Sequence, residues 1–255
     1  MRKALLTLPL LAAVAFAGPA MAATTVAVNE ASLGASWNNT SVGTGTIAFG
    51  KDFAGVGALQ LSTPDSSAKA ELSTAVAGAP LSTLSNAEYR TFRDVASTSN
   101  AVQTAAIKVV IDYNGAATGG FNTIVFEPEY TYAGQVVEGA WQTWAAGGDA
   151  KWWATRTMPG VPMAFDSFVP LSTILAENPD AVINGITVGT GSGNPDLLAG
   201  VDYLTVGETT YDFGPRDFNK ADCKDGGWAT NFAADQFVSQ GDCVSFYASN
   251  GKTHQ

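Results

Sequence analysis

Short runs of alternating apolar and polar residues recur along this chain from Thr46 onward, separated by Gly, Asn, Pro and Ser. A period of two indicates β-strands, because successive strand side chains point to opposite faces of a sheet. In Ile107–Tyr113 the odd positions are apolar, so we expect them to face a core. The predicted strands are Thr46–Gly50, Gly57–Ser62, Lys69–Ser73, Ala87–Ala96, Ala106–Tyr113, Asn122–Phe126, Val136–Trp144, Lys151–Thr157, Ile183–Val188, Asp202–Val206 and Thr209–Phe213.

About eleven strands predict an all-β fold, an antiparallel two-sheet jelly-roll sandwich. A single helix is predicted at Leu171–Glu177, with Ser172 accepting the first free amides and Asn178-Pro179 ending the turn. Gly189–Pro195 contains three glycines and a proline, which predicts a loop. This loop lacks the spacing of a nucleophile elbow and precedes no predicted helix, so it indicates neither that motif nor a phosphate cradle.

The first residues have the layout of a secretory signal peptide. The cationic pair Arg2-Lys3 precedes an apolar run, Ala4–Ala17, and then the small-residue exit Ala20-Met21-Ala22. We therefore predict a signal at 1–22, a sandwich domain at 23–213, and secretion to the periplasm or the extracellular space. The apolar run is shorter than the roughly 20 residues that cross a bilayer, and no later stretch comes closer, so no membrane span is expected.

The charge balance excludes some partners. The formal net charge is −10 and becomes about −12 once Arg2 and Lys3 are removed, which argues against a basic face for nucleic acid. Charged residues make up 14% of the chain, well below the roughly 25% of ordinary soluble domains. Small and hydroxylic residues replace them, which suits the surface of a β-sandwich.

The two cysteines, Cys223 and Cys243, lie near the C-terminus. In an oxidising compartment they are expected to form a disulfide, which would stabilise the closed loop by roughly 3 kcal/mol. A metal pair and a redox C-x-x-C centre are the alternatives, and the spacing supports neither. We expect Trp228 to pack over this bond.

The sequence around these cysteines resembles a module found in uncharacterised secreted bacterial proteins, with the form C-K-x-G-G-W followed by F-x-x-Q-G-x-C-V-S. The resemblance implies a small disulfide-linked C-terminal module at 214–255. The preceding part is similar to jelly-roll ectodomains of the concanavalin-like or carbohydrate-binding type. The residues that carry this second resemblance are Phe126-Glu127-Pro128, Gly139-Ala140-Trp141, Trp152-Trp153 and Tyr211-Asp212-Phe213.

Four tryptophans cluster at Trp141, Trp144, Trp152 and Trp153. Strand parity prevents Trp152 and Trp153 from both facing the core, and it separates Trp141 from Trp144 in the same way. An exposed tryptophan on a sheet is a platform for a sugar ring. Alternatively, loops or the C-terminal module cover the outward rings.

Arginines are few, and Arg90, Arg93 and Arg156 lie close to aromatic residues in the sequence. A guanidinium can bind a uronate or a sulfate through two parallel hydrogen bonds. Pairing with the abundant carboxylates of this chain is the other interpretation. We include Arg90 and Arg156, with the four tryptophans, as candidate ligand-binding residues.

Catalytic chemistry has few candidates. Glu127 and Glu129 flank Pro128 and are expected to share a face, as a glycosidase pair would. Against this, the proline favours an edge strand or bulge, and the E-x-D-x-x-E pattern of concanavalin-like glucanases is absent. The single histidine, His254, is the penultimate residue, which argues against a histidine base and against a zinc site.

No cofactor is required by this pattern, although a structural calcium ion is compatible with it. Calcium prefers oxygen ligands, and several aspartates lie near predicted loops: Asp52, Asp65, Asp196, Asp202 and Asp212. Spacing alone does not assemble them into one site.

Three functions remain open. The first is non-catalytic binding of an extracellular polysaccharide or glycan by the tryptophans and arginines. The second is a structural or adhesive role in an extracellular matrix or at a cell surface. The third is a glycan hydrolase or lyase that works without a catalytic histidine.

Overall fold

The computed structural model describes residues 24–115, 119–162, 167–214, 220–230 and 237–249. The predicted signal peptide and His254 lie outside these ranges. The strands are β1 (Thr24–Val28), β2 (Asn38–Asn39), β3 (Thr46–Phe53), β4 (Val56–Thr63), β5 (Ala70–Pro80), β6 (Glu88–Arg93), β7 (Ala106–Asp112), β8 (Phe121–Phe126), β9 (Trp141–Ala145), β10 (Lys151–Ala154), β11 (Val169–Pro170), β12 (Val182–Thr190), β13 (Leu197–Val206) and β14 (Thr209–Phe213). The helices are α1 (Pro128–Thr131), α2 (Leu171–Glu177), α3 (Gly227–Thr230) and α4 (Gln240–Ala248).

The strands form two seven-stranded sheets. In the first sheet β13 is central: it pairs with β4 and β14 along one side and with β6 on the other. Outside these, β3 pairs with β4, β1 with β14 and β9 with β6. The second sheet has the order β11-β10-β8-β7-β12-β5-β2. Within these sheets the strands pair antiparallel, except that β1 runs parallel to β14.

The core lies between the two sheets, where alternate side chains of each strand meet. Leu59 and Leu61 of β4 are fully buried, as are Val109 and Ile111 of β7, which confirms the inward positions expected from the sequence. The fold is the predicted antiparallel jelly-roll sandwich with a disulfide-linked C-terminal segment.

Local details correct two expectations. Helix α2 occupies the predicted residues, but its N-cap is Pro170 without a side-chain bond, and the Ser172 hydroxyl donates to Asp149 Oδ1 at 2.9 Å instead. Pro128 begins helix α1 rather than an edge strand or bulge, because proline fits the first helical position, where its missing N–H has no partner to lose. Strands β1, β2 and β11 and the helices of the C-terminal segment were not predicted.

The C-terminal segment has a separate hydrophobic cluster. Cys223 and Cys243 form the predicted disulfide, with their Cα atoms 5.7 Å apart. Phe237 is buried with them, and Trp228 packs against this cluster as expected. Among the helices of the described residues, none has the length and apolar character needed to cross a membrane.

Candidate functional site

The outer face of the second sheet carries a row of side chains that runs across four paired strands. Trp153 of β10 is paired with Val125 of β8, Val125 with Lys108 of β7, and Lys108 with Thr187 of β12. Trp152, the neighbour of Trp153, is fully buried in the core. Since side chains alternate along a strand, this row faces away from the core.

Two adjoining pockets open on this face, and we call them together the outer groove. The first has a volume of about 370 Å³ and is lined by residues that include Glu129, Tyr130 and Gln103. The second has a volume of about 290 Å³ and is lined by residues that include Lys69, Lys108, Thr123 and Thr155. Both pockets are lined by Glu127, Trp153, Ser192 and Asn194.

The predicted glycine-rich loop forms one wall of the outer groove, but it begins at Gly191, because Gly189 and Thr190 belong to β12. Its position is fixed by hydrogen bonds: Gly193 N–H donates to Ser66 O at 2.8 Å, and the Thr63 hydroxyl donates to Asn194 O at 2.6 Å. The Asn194 side-chain amide in turn donates to Gly191 O at 2.8 Å. These bonds hold the loop backbone in place before any ligand arrives.

Trp153 is half-buried and has its polar edge satisfied. Its indole Nε1–H donates to Glu127 Oε2 at 2.8 Å. This bond fixes the ring in the groove that both pockets share. Burial raises the pKa of the Glu127 carboxyl, and the hydrogen bond from Trp153 acts in the opposite direction.

A second carboxyl lies in the first pocket. Glu129 is in the first turn of α1, and its Oε2 is buried without a hydrogen-bond partner among the described residues. Burial raises the pKa of Glu129. The adjacent Tyr130 stacks on Phe168 with ring centroids 3.8 Å apart, and burial also raises the pKa of its hydroxyl. Glu127 and Glu129 therefore share one pocket, as the glycosidase interpretation requires.

The second pocket contains the positive charge of the outer groove. Lys108 forms an ion pair with Glu71. Three ion pairs are found among the described residues, Arg90–Asp202, Arg93–Glu138 and Lys108–Glu71, and Lys69 takes part in none of them.

Two of the predicted tryptophans are core residues. Trp144 is 3% exposed and donates to Thr91 Oγ1 at 2.7 Å, and Trp152 is fully buried and donates to Ala146 O at 2.9 Å. Neither ring reaches solvent, so we remove both from the candidate site. The opposite orientations predicted for Trp152 and Trp153 are confirmed: the Trp152 ring lies in the core, and the Trp153 ring lies on the outer face, where it donates to Glu127.

Trp141 and Arg90 lie together, but on the outer face of the first sheet, away from the groove. Trp141 packs against Phe53 and Phe92 and donates to Phe53 O at 2.8 Å. The Arg90 guanidinium lies 5.1 Å from the Trp141 ring centroid and 4.5 Å from that of Tyr203. Internal partners thus occupy these two candidates.

The remaining arginines also have internal contacts. Arg90 donates to Asp202 Oδ2 at 2.8 Å, and the buried Arg93 donates to Glu138 Oε1 at 3.1 Å, so the carboxylate interpretation holds for both. Arg156 is exposed, with its guanidinium 5.1 Å from the Phe121 ring centroid. It is not among the residues that line the outer groove.

The aspartates considered for calcium are dispersed among local contacts. Asp65 accepts hydrogen bonds from the Ser67 and Thr44 side chains, which lower its pKa to about 2. Asp52 Oδ1 accepts from Gly55 N–H at 2.8 Å, and Asp202 pairs with Arg90. No group of three metal-ligating side chains occurs in the described ranges. Calcium binding stays a prediction.

Sequence reasoning did not identify Lys69, Lys108, Ser192 or Asn194 as site residues. A signal existed for Lys108, because it occupies an even position in a strand whose odd positions are apolar. Lys108 and Trp153 are far apart in the sequence, which does not reveal that only β8 lies between their strands, β7 and β10, in the sheet.

Comparisons with known proteins add no family. No protein-family model matches the chain, and no curated protein matches it. Among solved structures, the chain is similar to a family 11 carbohydrate-binding module from Clostridium thermocellum in complex with a β-1,3-1,4-mixed-linked tetrasaccharide, with 11% identity, a TM-score of 0.36, and coverage of 67% of this chain and 87% of that one. It is also similar to an exo-β-agarase, with 10% identity, a TM-score of 0.35, and coverage of 74% and 24%.

Proposed function

We propose that this protein binds an extracellular glycan in the outer groove, with Trp153 as the aromatic platform. The observation that carries the proposal is the position of Trp153: its ring lines both pockets, and its N–H is held by Glu127. The extracellular setting rests on the predicted signal peptide.

The surroundings of Trp153 suit a sugar. A sugar ring has apolar C–H faces and a rim of hydroxyls, so it needs a flat apolar surface next to hydrogen-bonding groups. Thr123 and Thr155 supply hydroxyls on one side, and Ser192 and Asn194 supply a hydroxyl and an amide on the other. A pocket with a few placed polar groups around an apolar surface is the usual form of a small-ligand site. The fixed ring also loses little conformational entropy on binding.

Replacement of Trp153 by Ala tests the proposal. We expect the affinity for the glycan to fall about fivefold or more, since a well-placed aromatic contact contributes about 1 kcal/mol beyond its buried area. The measurement is retention on affinity gels, then calorimetry, across neutral, acidic and amino-sugar polymers.

The matched control is Trp141→Phe, which changes a tryptophan on the opposite sheet and should leave binding intact. Wild-type affinity in Trp153→Ala, or no retention of the native protein on any of the polymers, would contradict the proposal.

Glycan hydrolysis is a second candidate function, favoured by the two carboxyls in the first pocket. Glu129 is the candidate proton donor to a glycosidic oxygen, because its Oε2 has no hydrogen-bond partner within the described residues and burial raises the pKa of the carboxyl against a hydrogen bond with Tyr130. Glu127, whose pKa burial also raises against the hydrogen bond from Trp153, would act as the base that takes a proton from the water that attacks the anomeric carbon.

Release of reducing ends from polysaccharide distinguishes this second function from binding alone. If the protein hydrolyses glycans, Glu129→Gln should abolish product release while binding persists, and the exposed Glu88→Gln should not change it. Binding without product release from the native protein leaves the groove as a binding site only.

A further inference from the structure

Resting on the proposed glycan binding, we propose that the ligand of the outer groove carries an anionic group, a carboxylate or a sulfate. Lys69 binds this group in the second pocket, beside the sugar that contacts Trp153.

Two lysines supply the positive charge of the second pocket. Lys69 and Lys108 both line it. The charge of Lys108 is balanced by Glu71, whereas Lys69 forms no ion pair within the described residues. Unpaired lysine at a pocket wall is notable in a chain with 23 acidic residues and 13 basic ones, because carboxylates for pairing are abundant.

The two pockets differ in the charged residues that line them. The residues that line the first pocket include Glu127 and Glu129 but no Lys or Arg. An anionic group therefore finds no cationic partner at that end, whereas Lys69 attracts it at the other end. The two pockets together give the groove a polarity: a neutral, hydroxyl-rich sugar fits beside the carboxyls, and the charged substituent fits beside Lys69.

Glu127 also lines the second pocket, but it forms no ion pair with Lys69 within the described residues. Lys69 is held at its own backbone, where its N–H donates to Val42 O at 3.0 Å and its carbonyl accepts from Val42 N–H at 2.9 Å. This bridge fixes the root of a side chain that is otherwise long and adaptable.

The net charge of −10 makes the test selective. A protein with this charge repels polyanions in general, so retention on an acidic polymer needs a local cationic site.

The experiment compares ligands matched in all but charge. Binding is measured for polygalacturonate oligomers against their methyl esters, and for sulfated galactan oligomers against desulfated ones. The proteins are the full chain, Lys69→Met, the control Lys51→Met, whose lysine is exposed on the first sheet, and Trp153→Ala.

For the native protein we expect at least one anionic ligand to bind about tenfold or more tightly than its neutral counterpart. The uronate and sulfate pairs show which anion is preferred. Lys69→Met should remove most of this preference by weakening the binding of the anionic ligand far more than that of the neutral one, and Lys51→Met should match the native protein.

Negative results distinguish a failure of this inference from a failure of the proposed glycan binding. Equal affinity for charged and neutral ligands, or a preference that survives in Lys69→Met, overturns this inference and leaves glycan binding in place. Binding that does not change in Trp153→Ala, or no binding to any of these ligands and the neutral polymers, overturns the proposed function and this inference with it.

Discussion

The four clustered tryptophans occupy different environments although they are chemically identical. Trp144 and Trp152 are inside the sandwich, with their N–H groups bound to Thr91 and to a backbone carbonyl. Trp141 lies under an arginine on the first sheet, and Trp153 lies in the outer groove. Each indole N–H has found an acceptor, as buried or half-buried tryptophan requires. Strand parity decides whether each ring faces the core or the outside, and the sheet to which its strand belongs decides on which side of the sandwich it lies.

Arg93 shows why few arginines are free to bind a ligand. Its side chain is 1% exposed and donates to the Glu138 carboxylate, the Ser99 hydroxyl and the carbonyls of Gln103 and Ser99. A buried guanidinium must be paired and hydrogen-bonded to offset its desolvation. Arg93 is therefore a structural residue that joins the loop after β6 to the sheet.

The pKa of Asp202 predicts how the stability of the protein depends on pH. This pKa is raised to about 6, because burial and the charge of Asp212 outweigh the opposing hydrogen bond from Arg90. The folded-state pKa thus lies above the unfolded value of about 4. A contribution of up to about 3 kcal/mol is present below pH 4 and lost as the pH rises through 6. Urea unfolding from pH 4 to 8 should therefore show falling stability, with a shallower slope in Asp202→Asn.

Asp65→Asn is the matched control for this experiment. Hydrogen bonds lower the pKa of Asp65 to about 2, so its effect on stability lies between that value and the unfolded value of about 4, at and below the lower limit of the measured pH range. The variant should keep the slope of the native protein. An Asp202→Asn variant with the full native slope would show that another group is responsible.

At the scale of elements, the strand pattern predicted most of the sheet, and the exceptions have local causes. Strand β1 is an edge strand with its first four residues exposed, so it shows no burial alternation for a sequence pattern to reflect. Strand β2 has two residues, too few to show a period. Helix α2 was predicted with its correct bounds because a short apolar run ends at Asn178-Pro179.

Two helices had signals that were present but weak. Pro128 between two glutamates is compatible with an edge strand, a bulge or the first turn of a helix, and the structure has the helix. For α4 the signal is Ser239, whose hydroxyl accepts the Asp242 N–H at 3.1 Å as an N-cap. Serine three residues before an acidic residue is common in turns as well, so the pattern by itself does not distinguish them.

At the scale of the whole molecule, the sandwich core and the C-terminal cluster are separate sets of buried residues. Removal of the disulfide with Cys223→Ala and Cys243→Ala should therefore act on the C-terminal segment alone. We expect it to lose about 3 kcal/mol of local stability, since the bond closes a loop of about 20 residues. Hydrogen exchange should increase in 220–230 and 237–249, while the sandwich unfolds at its native midpoint.

Leu59→Ala provides the opposite pattern. This leucine is fully buried in the sandwich, so the variant should lower the unfolding midpoint of the sandwich by creating a cavity, at a cost of about 2–5 kcal/mol. If loss of the disulfide lowered the sandwich midpoint as Leu59→Ala does, the two clusters would form one cooperative unit.

The sequence alone determined the β-class, the inward positions of the strands, the cysteine pair and the opposite orientations of Trp152 and Trp153. These follow from the period of a strand and from local chemistry, which neighbouring residues encode. The tertiary structure decided which outward tryptophan has a groove beside it, and that Glu127, Lys69 and Asn194 lie around it. Those residues come from elements far apart in the chain, and strand pairing, which the local pattern does not specify, brings them together.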